Sequence, residues 1–342
     1  MTLFSRITFG GLAAAMVLGT GVAFAAEPVL GLAAIDLQNS FFVRMKEAGD
    51  TAAKDYGVKS SWQSAEGSLE KQVGIIENFI NQKVSAILVD PLDKNALIPV
   101  LKKAEAAGIP VVTMGNKVEA GANYSTLYPD YQNMSLVAKA LGTTLGGEGE
   151  VALLVGTRGN FVSDTREKAF VDTLAKEFPK IKVVGIEPTG WDSAKATNAA
   201  QTWLTTYPDL KAIGCISDSL CLAADAVAKA MDHKLLYGGY DGDSEMHPLL
   251  ESGTMVMDVL TGAYRVGYWN IAVAARLAKG ETLPHDLYMP TFFVASDATA
   301  EALKAKGVTF EHITPAKAEI EAKNYTAQLG PSVPASAMTV GK

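Results

Sequence analysis

The sequence predicts an α/β protein in which a doubly wound parallel sheet occurs twice. Three observations carry this. From Val29 onward, short β-rich runs alternate with amphipathic stretches, the order that builds parallel sheets through helical crossovers. Runs such as "SAILVD" and "VALLVG" are nearly continuous in apolar residues, as strands are when helices cover both faces of a sheet. The runs form two series, and 342 residues suffice for two cores of ordinary domain size.

The first series is Val29 to Asp36, Val58 to Trp62, Ser85 to Asp90, Ile109 to Gly115 and Tyr124 to Leu127. The second is Glu150 to Gly156, Ile181 to Glu187, Leu210 to Ser217, Leu235 to Asp241, Thr254 to Thr261 and Leu287 to Val294. Helical patterns separate them. In one, Leu69, Val73, Ile76, Phe79 and Ile80 recur at spacings that put their side chains on one face. "TTLGGEGE", Thr143 to Glu150, is a helix stop followed by a turn and so punctuates the chain instead of cradling a phosphate. The last dozen residues lack periodicity and form either a loose end or a surface strap.

At the N-terminus, a short polar segment holding Arg6 leads into the apolar stretch Ile7 to Phe24 and then Ala23-Phe24-Ala25. This is the pattern of a secretory signal peptide, residues 1–25, cut after Ala25. The alternative is an uncleaved anchor, against which the glycines and the small-residue exit argue. No other segment approaches a membrane span. The formal charge is −7; the leader removes Arg6 and no acid, so the mature chain carries −8. That balance argues against nucleic acid or anionic lipid as partners.

The two cysteines, Cys215 and Cys221, lie far from the cleavage site, which excludes lipid attachment at a new N-terminal cysteine. In an oxidising compartment they form either a disulfide or two buried thiols.

In open α/β sheets, ligands bind beyond the carboxyl ends of the strands. Those ends supply Asn39 with Phe41-Phe42, Asp90 in "LVDP" and Gly115-Asn116 in "VVTMGN". The second series supplies Asp164 and Arg166 in "SDTREKAF", Trp191 in "TGWD", Ser217-Asp218 in "CISDS", Asp241 in "GGYDG" and Thr261 in "DVLTGAY". Carboxylates and amides fork onto vicinal hydroxyls, and aromatic faces cover the CH surfaces of the same molecule, so the set suits a sugar or polyol. Singly, each position has a structural alternative: Asp90 and Asp241 as helix caps, Asn39 as a turn residue, Trp191 as a core aromatic.

"LQNSFFVRMKEAG" is similar to the first strand-to-helix segment of the ribose-binding-like periplasmic proteins, the sugar-capturing components of ABC importers, whose hallmark there is Asn-x-Phe-Phe. The likeness continues through "ILVDPLDKNAL", "AGIPVVTMGN", "TREKAF", "CISDSLCLAADAV" and "YGGYDG", covering nearly the whole mature chain. The resemblance implies a type I periplasmic binding protein: two Rossmann-like lobes joined by a three-stranded hinge, crossed near Tyr128 to Asp130, Thr261 to Gly262 and Tyr288 to Pro290. It assigns residues 26–128 plus 262–289 to one lobe, 129–261 plus 290–310 to the other, and 311–342 to a tail.

The resemblance further implies that Phe41 and Phe42 sandwich a sugar ring with Trp191 completing the wall, and that Asn39, Asp90, Asn116, Asp241 and Thr261 hold hydroxyls. Asp164 and Ser217 complete the candidate set. Trp191, with Trp62, is expected to report ligand by fluorescence. The chain also departs from ribose binders. Gly115-Asn116 stands where they have Asp-Arg, Asp164 where an arginine is expected, and Ser217 where an asparagine precedes Asp218. Two lost guanidinium groups and one gained carboxylate disfavour ribose and sugar acids and favour a neutral pentose, hexose, deoxy sugar or polyol. Arg166 is expected to serve structure, pairing within its helix or with a neighbour.

The expected partners are therefore that ligand and the permease subunits of an ABC transporter, with a chemotaxis or kinase sensor ectodomain as the alternative receiver. The chain is expected to be a periplasmic monomer without cofactor or metal. Catalysis is disfavoured: His233, His247, His285 and His312 are scattered, and no Gly-x-Ser-x-Gly, His-Glu-x-x-His or P-loop pattern occurs. A gene regulator of this fold would carry a DNA-reading headpiece where this chain has its export signal.

Overall fold

A computed structural model describes residues 27–334; the predicted signal peptide lies outside them. Twelve strands among these residues form two six-stranded sheets. The first series gives β1 (Val29–Ala34), β2 (Lys59–Ser64), β3 (Ala86–Val89), β4 (Val111–Thr113) and β5 (Tyr124–Leu127). The second gives β6 (Glu148–Val155), β7 (Lys180–Pro188), β8 (Leu210–Cys215), β9 (Leu236–Gly238) and β10 (Met255–Leu260), followed by β11 (Asp286–Tyr288) and β12 (Phe292–Val294).

The two sheets repeat one topology. Their orders are β11-β5-β4-β3-β1-β2 and β12-β10-β9-β8-β6-β7, parallel throughout except that β12 runs antiparallel to β10. Strand order reverses between β1 and β3, and again between β6 and β8, which opens a crevice at the carboxyl end of each sheet. The apolar runs lie where continuous hydrophobicity places them: β3 is buried along its whole length, as is β10.

The run Leu287 to Val294, expected as one strand, is two strands in different sheets. Pro290 lies between them, lacks an amide for any ladder, and marks a passage between lobes. The chain also passes between lobes after β5, where the helix Asp130–Thr144 packs on the second lobe, and after β10, where the helix Ala263–Ala278 packs on the helix Ser40–Asp55 of the first.

The tail adds a fourth passage. Ile313 exchanges backbone hydrogen bonds with Phe293 and Ala295 in the second lobe. The chain then returns through the helices Pro315–Lys323 and Tyr325–Leu329 to the first lobe, where Tyr56 Oη donates to Leu329 O at 2.8 Å and Tyr325 stacks on Tyr264. Residues 335–342 lie outside the described chain.

Arg265 joins three of these crossing segments. Its side chain, 1 % exposed, donates to Thr261 O at 3.0 Å, Pro290 O at 2.8 Å and Gln328 Oε1 at 3.3 Å. No carboxylate pairs with it among the described residues, and burial pulls its pKa down to about 10. All its partners are neutral acceptors on the hinge and the strap. Arg265→Met keeps the apolar stem but leaves those acceptors without a donor, and is expected to lower unfolding free energy by about 2 to 4 kcal/mol. Denaturant titration measures this; an unchanged stability would show that the guanidinium does not tie the hinge.

Candidate functional site

The carboxyl ends of the two sheets face each other across a cavity that is open on one side to solvent. About 80 Å³ of it is open to the centre of a water-sized molecule, several times the roughly 10–15 Å³ that admits one water. Asn39, Phe41, Phe42, Asp90, Asn116, Trp191, Ser217, Asp241 and Thr261 all line it. Segments far apart in sequence thus converge because each follows a strand end.

In the first lobe, Asn39 has extended backbone and its Oδ1 accepts from Phe41 N at 2.9 Å, capping the helix Ser40–Asp55. The cap fixes where that helix starts and so aims Phe41 and Phe42, whose rings meet edge to face at 5.7 Å. Asp90 and Asn116, from the ends of β3 and β4, are joined by Asn116 Nδ2 donating to Asp90 Oδ1 at 2.8 Å. The other amide hydrogen of Asn116 goes to Met114 O at 3.1 Å, and its Oδ1 accepts from Val162 N of the opposite lobe at 3.2 Å. Both amide hydrogens of Asn116 are therefore committed to protein, so it positions Asp90 and bridges the lobes, and what it keeps for a hydroxyl in the cavity is the second lone pair of its Oδ1.

In the second lobe, Trp191 follows β7 and lies flat on the backbone at Gly156, the end of β6. A Cβ built there would come within 2.4 Å of the indole, so any other residue would displace the ring. Trp191 Nε1 is enclosed and has no partner among the described residues. Trp191 at φ 68° and Asp241 at φ 125° are both non-glycine residues in the left-handed half of backbone space. Such strain concentrates where the surroundings must hold a side chain in a required direction.

Asp241 is held on several sides. Ser217 Oγ donates to its Oδ2 at 2.7 Å, and Arg166 Nη1 stands 3.5 Å from its Oδ1. Asp218, behind it, accepts from Gly242 N at 3.0 Å and Asp243 N at 2.8 Å, fixing the loop that carries Asp241. Thr261 reaches back to Asp241 O at 3.5 Å. Cys215 and Cys221, on the two sides of Ser217, are joined by a disulfide with Cα atoms 5.5 Å apart.

Arg166 pairs with a neighbour, as the sequence suggested, and it also lines the cavity. Its Nε donates to Asp130 Oδ1 at 2.8 Å, its Nη1 to Ile216 O at 2.7 Å, and its guanidinium carbon lies 3.4 Å from the centroid of Tyr240. Burial penalises the guanidinium, but the carboxylates of Asp130 and Asp241 hold its pKa above the ordinary value.

Asp164 is not in the cavity. It sits on the outer rim, where its Oδ2 accepts from Lys94 Nζ at 2.7 Å and its Oδ1 from Gly159 N at 3.2 Å. A carboxylate one turn into its helix points towards the cationic rim of the facing lobe, not the crevice. It belongs to a seam between lobes that includes Asn160 Nδ2 to Pro91 O at 2.7 Å and Lys94 N to Gly159 O at 3.2 Å. On the other rim, Arg44 pairs with Asp243 at 2.9 Å and with Glu245. Trp62 also lies outside the cavity, its Nε1 donating to Asp50 at 3.0 Å.

Sequence reasoning missed Tyr128, Asn160, Met114, Val162 and Val266 as lining residues. Asn160 had a usable signal. It follows β6 as Asn39 follows β1 and likewise caps the next helix, accepting from Ser163 N at 2.9 Å, so the internal repeat points to it. Among the described residues, no cluster of three or more His, Cys, Asp or Glu is arranged to hold a metal ion.

Burial pushes the Asp90 carboxyl up to about 8, the bond from Asn116 only partly opposing it. Asp241 is raised by burial, against Arg166 and with the help of Asp243, and Asp218 and Asp258 are raised by burial too. A carboxyl with a raised folded pKa stabilises fully below its unfolded value, near 3.9, and loses that contribution as pH rises through the folded value. His247, lowered by burial, acts in the opposite direction only below about 6.5. The melting temperature of the ligand-free protein is therefore expected to fall between about pH 7 and pH 9, and Asp90→Asn to flatten the fall. Calorimetric scans across that window check this, and a melting temperature that climbs with pH contradicts it.

Comparison with known proteins agrees with this geometry. A periplasmic binding protein domain model matches residues 30–282. The D-allose-binding periplasmic protein of Escherichia coli (strain K12) is 29 % identical over 293 residues, covering 81 % of this chain and 93 % of that protein. The xylitol-binding protein of Mycolicibacterium smegmatis is 28 % identical over 264 residues, 75 % of this chain and 74 % of that protein. Among solved structures, an ABC transporter periplasmic solute binding protein from Actinobacillus succinogenes 130z with bound D-allose superposes with a TM-score of 0.72 at 25 % identity, over 80 % of this chain and all of that one. Two parallel α/β lobes, a crevice between their strand ends and a match over most of the chain lead to one conclusion: this chain belongs to the periplasmic binding protein family.

Proposed function

We propose that this chain captures a neutral sugar or polyol between its two lobes and delivers it to the permease subunits of an ABC transporter. The observation that carries the reading is the composition of the cavity: four aromatic side chains, Phe41, Phe42, Tyr128 and Trp191, surround carboxyl, amide and hydroxyl groups. Aromatic faces match the CH surfaces of a sugar, and the polar groups match its hydroxyls. Relatives that bind D-allose and xylitol support the same class.

Charge argues for a neutral ligand. Arg166 is the one cation lining the cavity among the described residues, and Asp130 and Asp241 already balance it. A sugar acid would bring a carboxylate towards Asp90 and Asp241 with no cation to spare. Binding and release would involve no chemistry, and closure would be the signal read by the permease. In this reading the leader is cleaved after Ala25, the mature chain works in the periplasm as a monomer, and a sensor ectodomain is a second possible receiver. Co-purification with each candidate distinguishes permease from sensor.

Calorimetric titration with neutral pentoses, hexoses and polyols against sugar acids tests the ligand class. Tight binding confined to neutral compounds is expected, and tight binding confined to acids overturns the reading. Trp191→Ala is expected to cost about 2 to 4 kcal/mol of affinity as a buried aromatic anchor. Asp241→Ala is expected to cost a similar amount by leaving ligand hydroxyls unpaired. Native affinity in both variants would place the ligand elsewhere.

A further inference from the structure

Tyr128 is the residue immediately after β5, at the point where the chain first leaves one lobe for the other. Its side chain is 7 % exposed and lines the cavity. The ring packs at a tilt against Trp269, with centroids 6.2 Å apart, so the phenol is held by the first-lobe core. Its hydroxyl forms no hydrogen bond with any described residue, although Asp130, Arg166, Asp90 and Asp241 all lie close enough to act on it electrostatically.

The ring is buried while its hydroxyl stays accessible in the cavity, so a molecule that displaces water there has to replace the hydrogen bond that water supplies. The position of the ring explains how the group reaches the cavity. Gly115, at φ +66°, has no side chain there. A Cβ on Gly115 would lie 3.2 Å from Tyr128 Cε2 and 3.6 Å from its hydroxyl oxygen. The phenol therefore occupies the space that a side chain at position 115 would fill. Next to it, Asn116 has both amide hydrogens committed to Asp90 and Met114. On this wall of the cavity, the Tyr128 hydroxyl is a donor that remains uncommitted.

We propose that Tyr128 is a ligand-contacting, specificity-determining residue whose phenol hydroxyl donates a hydrogen bond to one hydroxyl oxygen of the bound sugar or polyol. The assignment rests on the neutral-sugar reading above and extends it. The contact is made from the hinge side, by a side chain whose backbone belongs to a crossing strand, so a ligand lacking an oxygen at that position leaves the phenol unpaired.

Tyr128→Phe removes one oxygen and keeps the ring, and an unchanged melting temperature without ligand confirms that the fold is retained. The probes are D-allose and xylitol, the tightest neutral binder of the calorimetric panel, and the available monodeoxy derivatives of that binder. Wild-type protein is expected to bind the parent sugar about tenfold or more tightly than Tyr128→Phe, a loss of the size expected for one buried hydrogen bond. For one deoxy position, wild type and variant are expected to bind equally, because the partner oxygen is already missing. Equal affinity of wild type and variant for the parent sugar overturns the assignment and leaves the sugar reading standing. A loss of the same size for every deoxy derivative also overturns it, since the phenol would then act on closure alone. Failure of the wild type to bind any neutral sugar or polyol overturns the reading and this assignment together.

Discussion

Burial of polar groups between two facing strand ends is the constraint on which the site depends. Each lobe alone exposes half of a ligand shell, and the halves meet through hydrogen bonds that run from lobe to lobe. Asn116 is the clearest case. It holds Asp90 with one atom and accepts from Val162 of the other lobe with another. Closing the lobes therefore sets the position of a cavity-lining carboxyl, and any ligand that prefers that arrangement stabilises closure in return. The rims add direct contacts, Lys94 with Asp164 on one side and Arg44 with Asp243 on the other. The partly exposed Lys94–Asp164 pair contributes modestly, whereas Asp243 is buried beside Arg44.

The electrostatics follow the same geometry. A buried guanidinium needs paired carboxylates, and Arg166 has Asp130 and Asp241, with Tyr240 under its face. One loop carries Asp241 towards the cavity and Asp243 towards Arg44, and the Asp218 carboxylate pins the backbone between them. Cavity lining and rim contact are thus two ends of one short segment. The hinge has its own buried arginine, Arg265, but its partners there are neutral backbone carbonyls.

Much of this was legible in the sequence because strand ends in doubly wound sheets converge regardless of the detail of each loop. Continuous apolar runs announced strands buried on both faces, and the residues that stop those runs, from Asn39 to Thr261, line one cavity. What escaped were matters of direction and partnership. Asp164 lies near a strand end, yet Lys94 draws it to the rim. Asn116 has the right chemistry for a hydroxyl, but both its donors go to Asp90 and Met114, and Val162 takes one of its two acceptor sites. Tyr128 was hidden in a hinge segment, and only its close approach to Gly115, which has no side chain to oppose it, shows how its ring reaches the cavity. The run Leu287 to Val294 reads as one strand by composition, although the resemblance places a crossing between lobes at Tyr288 to Pro290, where the two strands part into different sheets.

The central claim is that an uncharged polyhydroxy molecule fills the cavity and is gripped from both lobes at once. A crystal structure of the mature chain with the small molecule it retains on purification tests this most directly. The account predicts density for one neutral sugar or polyol between Phe42 and Trp191, within hydrogen-bond distance of Asp90 in one lobe and Asp241 in the other. Density for a charged solute, or for any ligand touching a single lobe, would contradict it.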